Sequence, residues 1–113
     1  MHELSIVQSI VDIVTAEATA ADSQHVDEVE LDIGTMSGVE LSAFHFAWSQ
    51  AVKNTLMAEA KPIINSIEGK AKCMMCDTTF SLDHYATPCP NCGSHLIDIQ
   101  QGKELRVKAI SVR

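Results

Sequence analysis

Residues 4–20 carry Leu4, Val7, Val11, Val14 and Ala18 at spacings of three and four, with Ile6, Ile10 and Ile13 widening the apolar stripe. This period predicts an amphipathic helix from Leu4 to about Ala20, free of Gly and Pro and ending before the polar "DSQH" at Asp22–His25. The period then falls to two. Val29, Leu31 and Ile33 alternate with Glu30 and Asp32, the pattern of a strand with one buried face, and Gly34 closes it. Ser37, followed three residues later by Glu40, predicts a capping box. The helix it opens carries Leu41, Phe44, Trp48, Val52 and Leu56 on or near one face, and Lys61-Pro62 breaks it. Ile63, Ile67 and Ala71 alternate as in a second strand. Leu96–Ile99 and Leu105–Val112 read as two more strands around Gly102, the last changing phase near Ala109, where a bulge would fit.

The expected fold class is therefore α/β (α+β): a small mixed sheet covered by two helices, with a cysteine-bearing subdomain inserted between strands. At 113 residues the chain has room for one domain, or one small domain carrying a subdomain. Aromatics make up only 4%, so the core rests on Ile, Val, Leu and Ala, and a metal staple would help it.

Charge narrows the function classes. Fifteen acidic side chains against eight basic ones give −7, which argues against a nucleic-acid partner, because phosphate backbones are bound by clustered Lys and Arg. No apolar run approaches the roughly 20 residues that span a bilayer, and Glu3 with no basic run does not resemble a signal peptide. A cytoplasmic protein with no membrane partner is expected, and in a reducing compartment cysteines serve as metal ligands more often than as disulfides.

The cysteines carry the clearest chemistry. Cys73 and Cys76 form one C-x-x-C, Cys89 and Cys92 another, with the twelve residues Asp77–Pro88 between the pairs. Each pair can turn two thiolates toward one ion, and two pairs complete a tetrahedral sulfur shell for zinc. With all four cysteines consumed, no coordination position stays open, so the site is structural rather than hydrolytic. Two disulfides, a thioredoxin-like redox pair and an iron–sulfur cluster are the weaker alternatives. Pro90 and Gly93 suit the tight turns of such knuckles, and Phe80, Leu82 and Tyr85 supply the module's small apolar cover. No nucleophile–base pair, cofactor loop or open metal position marks an enzyme.

The histidines sort differently. His25 falls in the loop after the first helix and reads as a solvated surface residue, His45 as a packed or half-exposed helix residue, and His84 and His95 as surface histidines near the knuckles, with a spare ligand the less common alternative for either. His2 stands next to the initiator methionine. A frayed, idle terminus is the plain reading of that position, but a free α-amine, the first amide nitrogen and the imidazole at position 2 can chelate one ion through fused rings. Ni(II) and Cu(II) favour such planar nitrogen donors, whereas zinc ionises amides poorly.

"MHELS", "GTMSGVE" at Gly34–Glu40, the "CMMC…CPNCGS" module and the "GKELRV" tail together resemble the HypA/HybF family of hydrogenase maturation nickel metallochaperones, over the whole chain and in order. The resemblance implies transferable Ni(II) cargo at His2 with backbone nitrogen of His2 and Glu3, and structural Zn(II) at Cys73, Cys76, Cys89 and Cys92. It implies a nickel-binding α/β domain over 1–70 plus 104–113 and a zinc-ribbon domain over 71–103. It also implies protein maturation partners: a GTPase, the [NiFe]-hydrogenase large subunit and, for some members, urease maturation factors, around a monomer or weak homodimer. The chain has no G-x-x-x-x-G-K-[ST] loop, so GTP hydrolysis would belong to the partner. Asp77 and Gly93, not histidine, follow Cys76 and Cys92, which argues against the histidine exchange open to some relatives at their zinc site. The competing reading is a zinc-ribbon interaction adaptor without transferable metal.

Overall fold

The computed structural model describes residues 3–113; His2, the expected nickel ligand, lies outside the described residues. The element order is α1 (Glu3–Ala20), β1 (Val26–Gly34), α2 (Leu41–Ala51), β2 (Lys61–Ile67), β3 (Gly69–Cys73), β4 (Thr79–Leu82), β5 (Ile97–Gln101) and β6 (Leu105–Val112). The α+β class is as expected, but the strands divide between two three-stranded sheets, β2-β1-β6 and β4-β3-β5. The chain forms two compact units, one of residues 1–32, 39–65 and 106–113, the other of residues 33–38 and 66–105.

In the first unit, α1 packs against α2. Most of the predicted stripe is buried: Val7, Val14 and Ala18 of α1 face inward together with Ile10, while Val11 is partly buried and Leu4 and Ile13 stay half exposed. Phe44, Ala47 and Trp48 are buried from α2, Val26, Val29 and Leu31 from β1, and Met57 from the segment after α2. The Phe44 and Trp48 rings lie 6.0 Å apart, and the Trp48 indole N–H donates to the Ala60 carbonyl at 3.3 Å, so the large ring is buried with its polar atom satisfied.

Two expectations about α2 need correction. Glu40 is the N-cap itself rather than the third residue of a Ser37 box. Its backbone is extended, and its carboxylate accepts from the Ser42 and Ala43 amides. Gly38, at φ 83°, lies between Ser37 and that cap in a conformation helices exclude. The helix also stops at Ala51, well before Lys61-Pro62, and the chain turns through Asn54 at φ 61°. Val52 and Met57 are still buried, but from turns rather than a continuing helix.

In the second unit, β3 pairs antiparallel with β4, Ala71 opposite Phe80, and with β5, Cys73 opposite Ile97, with an irregularity between Lys70 and Ala71. The single strand expected across Ile63–Ala71 is thus two strands, which enter different sheets. β4 was not anticipated. Met36, Ala71 and Leu82 form the buried apolar cluster, with Phe80, Ile97 and Ile99 packed on it. Gly34 does more than end a strand: a Cβ there would stand 1.9 Å from the Gly102 carbonyl oxygen, so only glycine allows the two backbones to meet. In β6 the inward phase does change at Ala109, from Leu105 and Val107 to Ile110.

Candidate metal centre

β3 delivers Cys73 at its end, buried, and the chain turns back at once. The Asp77 amide donates to the Cys73 carbonyl at 3.0 Å and the Cys73 amide to the Thr78 carbonyl at 2.8 Å. Asp77 sits at φ 61°, the left-handed conformation that closes the turn. The second knuckle repeats the pattern. The Gly93 amide donates to the Cys89 carbonyl at 2.8 Å, the Cys89 amide donates to the Ser94 carbonyl at 2.8 Å, and Gly93 takes φ 75°. The role foreseen for Gly93 is therefore a conformational one. Within the first turn, the Met75 amide points at the Cys73 sulfur, 3.4 Å away.

These turns bring the four sulfurs of Cys73, Cys76, Cys89 and Cys92 within 4.8 Å of one another, the only such metal-competent cluster among the described residues. Cys73 and Cys92 are 3.5 Å apart, Cys76 and Cys89 3.6 Å. Zinc–sulfur bonds of about 2.3 Å set tetrahedral edges of about 3.8 Å, so the donor set and its spacing fit a Zn(II) ion with little adjustment.

The electrostatics agree. The Thr78 hydroxyl, the Asn91 amide and the Thr78 backbone amide all stabilise a thiolate at Cys76 and lower it to about 6. The Ser94 amide favours the Cys92 thiolate too, but the adjacent Cys73 sulfur and burial outweigh it and push Cys92 up to about 12. Sulfurs this close resist ionising together, and a divalent cation is the group that makes a four-thiolate state favourable. Thr78, 3.1 Å from the Cys76 sulfur, and Asn91, 3.6 Å from it, escaped the sequence reading. Their only signal there was a small polar residue just after one C-x-x-C and another inside the second.

Glu3 opens α1, and its carboxylate accepts the Glu40 amide at 3.2 Å, which holds its carboxyl below the usual range. The other histidines stand apart from the sulfur cluster. His25 departs from the solvated role expected of it. Its Nε2 is buried without a hydrogen bond, 3.7 Å from Asp27 and 3.5 Å from Glu59. His45 is exposed with its ring edge-on to Phe44, His84 hydrogen-bonds with Thr87, and His95 is exposed.

Fold and site together define a small two-unit α+β protein whose second unit is a four-cysteine metal-binding ribbon. A family profile described as "Hydrogenase/urease nickel incorporation, metallochaperone, hypA" matches residues 1–112, and the chain belongs to that family. The family is one of metallochaperones, not enzymes. The chain is 44% identical over 113 residues to "Hydrogenase maturation factor HypA" of Parabacteroides distasonis, covering all of this chain and 98% of the relative. It is 38% identical over 112 residues to the protein of the same name in Prosthecochloris aestuarii, covering 99% of each. In fold it is similar to the nickel metallochaperone HypA from Helicobacter pylori, with a TM-score of 0.72, 24% identity, and 99% and 97% of the two chains covered. A second HypA solution structure is similar with a TM-score of 0.71 and 25% identity, covering 100% and 97%.

Proposed function

We propose that this chain is a nickel metallochaperone for hydrogenase maturation, holding a structural zinc ion in its ribbon and carrying Ni(II) at its N-terminal segment. The observation that carries the reading is the match to the nickel-incorporation family from residue 1 to residue 112, which takes in both "MHE" and the four cysteines. His2 supplies the imidazole, and the backbone nitrogens of His2 and Glu3 supply further planar donors suited to Ni(II). The engagement of the Glu3 carboxylate with the Glu40 amide supports a backbone rather than a side-chain role for Glu3. Cys73, Cys76, Cys89 and Cys92 hold zinc, which links the two knuckles and adds folding free energy to the ribbon. Because the zinc shell is filled by protein sulfur, the cargo ion needs separate donors. The nitrogen set can release nickel to a partner that offers better ligands.

The reading places the chain in the cytoplasm, beside a hydrogenase-maturation GTPase and the hydrogenase large subunit. No helix among the described residues is long and apolar enough to cross a membrane. Nickel capture requires neutral imidazole and loss of a proton from each backbone nitrogen that coordinates, so binding weakens as pH falls. The test is a nickel isotherm for the untagged chain and for a version extended by residues before Met1. Capture by the parent and loss on extension are expected. Equal nickel binding by both would contradict the N-terminal site, and zinc without nickel in the parent would instead favour the zinc-ribbon adaptor.

A further inference from the structure

Two short sulfur contacts in the ribbon cross from one knuckle to the other: Cys73 meets Cys92 at 3.5 Å and Cys76 meets Cys89 at 3.6 Å. All four thiols are free, and within each pair one partner is more accessible than the other. Cys92 is exposed while Cys73 is buried; Cys76 is half-buried while Cys89 is buried. Each knuckle is fixed as a turn by its own backbone hydrogen bonds, Asp77 N–H to the Cys73 carbonyl and Gly93 N–H to the Cys89 carbonyl.

We propose that the ribbon is a reversible peroxide-sensitive metal switch, in which oxidation replaces the zinc ion by two nested disulfides, Cys73–Cys92 and Cys76–Cys89. The proposal rests on the zinc reading above. The oxidant is hydrogen peroxide. The Cys92 sulfur attacks one peroxide oxygen, the O–O bond breaks, and hydroxide leaves, giving a sulfenic acid. The Cys73 thiolate then attacks that sulfur, forming the S–S bond and expelling a second hydroxide. The Cys76–Cys89 pair consumes a second peroxide in the same way. In total, one four-thiolate zinc centre, two peroxides and four protons give two disulfides, one Zn(II) ion and four waters. Each sulfur pair gives up two electrons, and each peroxide takes up two.

The geometry favours this outcome over irreversible oxidation. A sulfenic acid at Cys92 forms beside a resolving sulfur, and closing a bond of about 2.05 Å from this separation needs a shift of about 1.5 Å. The nested bridges tie together the same two knuckles as the ion. The ribbon therefore stays closed when zinc leaves and can take it back when a thiol reductant restores the cysteines.

The test treats the full zinc-loaded chain with hydrogen peroxide, follows zinc with a chromogenic chelator and maps the disulfides by mass spectrometry. Cleavage before Asp77 and Asp83 places Cys73 and Cys76 on a different fragment from Cys89 and Cys92, and tandem fragmentation between Cys73 and Cys76 and at the Cys89–Pro90 bond tells the two cross-pairings apart. Expected are release of one zinc per chain, a mass four hydrogens below that of the reduced metal-free chain, and the two fragments held together through Cys73–Cys92 and Cys76–Cys89. Dithiothreitol with added zinc should restore the starting mass and metal content. Fragments that separate, each with an internal disulfide, would overturn the proposal. So would the opposite cross-pairing, bonds between chains, sulfinic or sulfonic acids without disulfides, or zinc retained under peroxide. A chain that holds no zinc before treatment contradicts the zinc reading instead, and the pairing is still read from its thiols.

Discussion

The two units of this chain reach a folded state by different means. The first buries Val7, Ile10, Val14, Val29, Leu31, Phe44 and Trp48, drawn from two helices and a sheet, and its core follows from apolar periodicity alone. The second has a buried cluster of only Met36, Ala71 and Leu82, and concentrates four sulfurs where another domain would place apolar side chains. A chain segment that cannot bury enough apolar surface to offset its ordering entropy needs another source of stability. Apparent binding free energies of about 10–16 kcal/mol for structural zinc at neutral pH are of the right size. Under the proposed function, the ion that builds the fold is held by a filled sulfur shell, so the ion that moves belongs elsewhere.

The largest effect should come from removing zinc. A strong chelator, or Cys73→Ser, is expected to unfold residues 66–105, while α1 and α2 keep their protection. Residue-resolved hydrogen exchange would show this, and equal loss of protection in both units would break the comparison. Next, Phe44→Ala leaves a cavity among Trp48 and the buried face of α1. It should cost about 3–5 kcal/mol in denaturant unfolding of the first unit, with zinc content unchanged.

Acid acts on both units through different groups. In the first, Asp32 is held below the usual carboxylate range by the Asn65 amide at 3.0 Å and the Arg106 guanidinium at 2.8 Å. The Asp27 carboxyl is lowered by Arg113. A depressed folded-state value means stability that is present above the ordinary value of 3.8 and lost as pH falls through the lowered one. The first unit should therefore hold until below about pH 4, whereas proton competition for the sulfurs should release zinc from the second at higher pH. Parallel pH titrations of helical circular dichroism and free zinc would separate the two; simultaneous loss would contradict this account. The smallest effect is Glu40→Ala, which removes the cap on α2 and should lower the unfolding midpoint slightly without altering zinc content.

Much of this was legible in the sequence, and the failures have physical causes. The α1 stripe and the alternation in β1 are strong periodic signals set by one buried face, and both survive in the structure. The α2 register was legible but its ends were not. Ser37 and Glu40 have the spacing of a capping box, yet the glycine at position 38 adopts positive φ and moves the start to Leu41. Past Ala51 the apolar spacing persists through Val52 and Leu56, although the backbone has left the helix. β4 was missed because "TFSL" contributes one fully buried side chain, Leu82, too little for a period to emerge. The split of Ile63–Ala71 into two strands turns on Gly69, where a Cβ would stand 2.2 Å from the Leu82 carbonyl, a tertiary constraint with no local signature. The sulfur cluster was plain from spacing. The Thr78 and Asn91 contacts that set apart Cys76 depend on how the turns fold over it.

The central claim is that two metals use two separate donor sets, nitrogen at the N-terminal segment and sulfur in the ribbon. Native mass spectrometry of the untagged chain and of His2→Ala, each equilibrated with both metals, tests it most directly. One zinc and one nickel are expected on the parent, and one zinc without nickel on the variant. A variant that keeps its nickel, or that loses zinc along with it, would contradict the account.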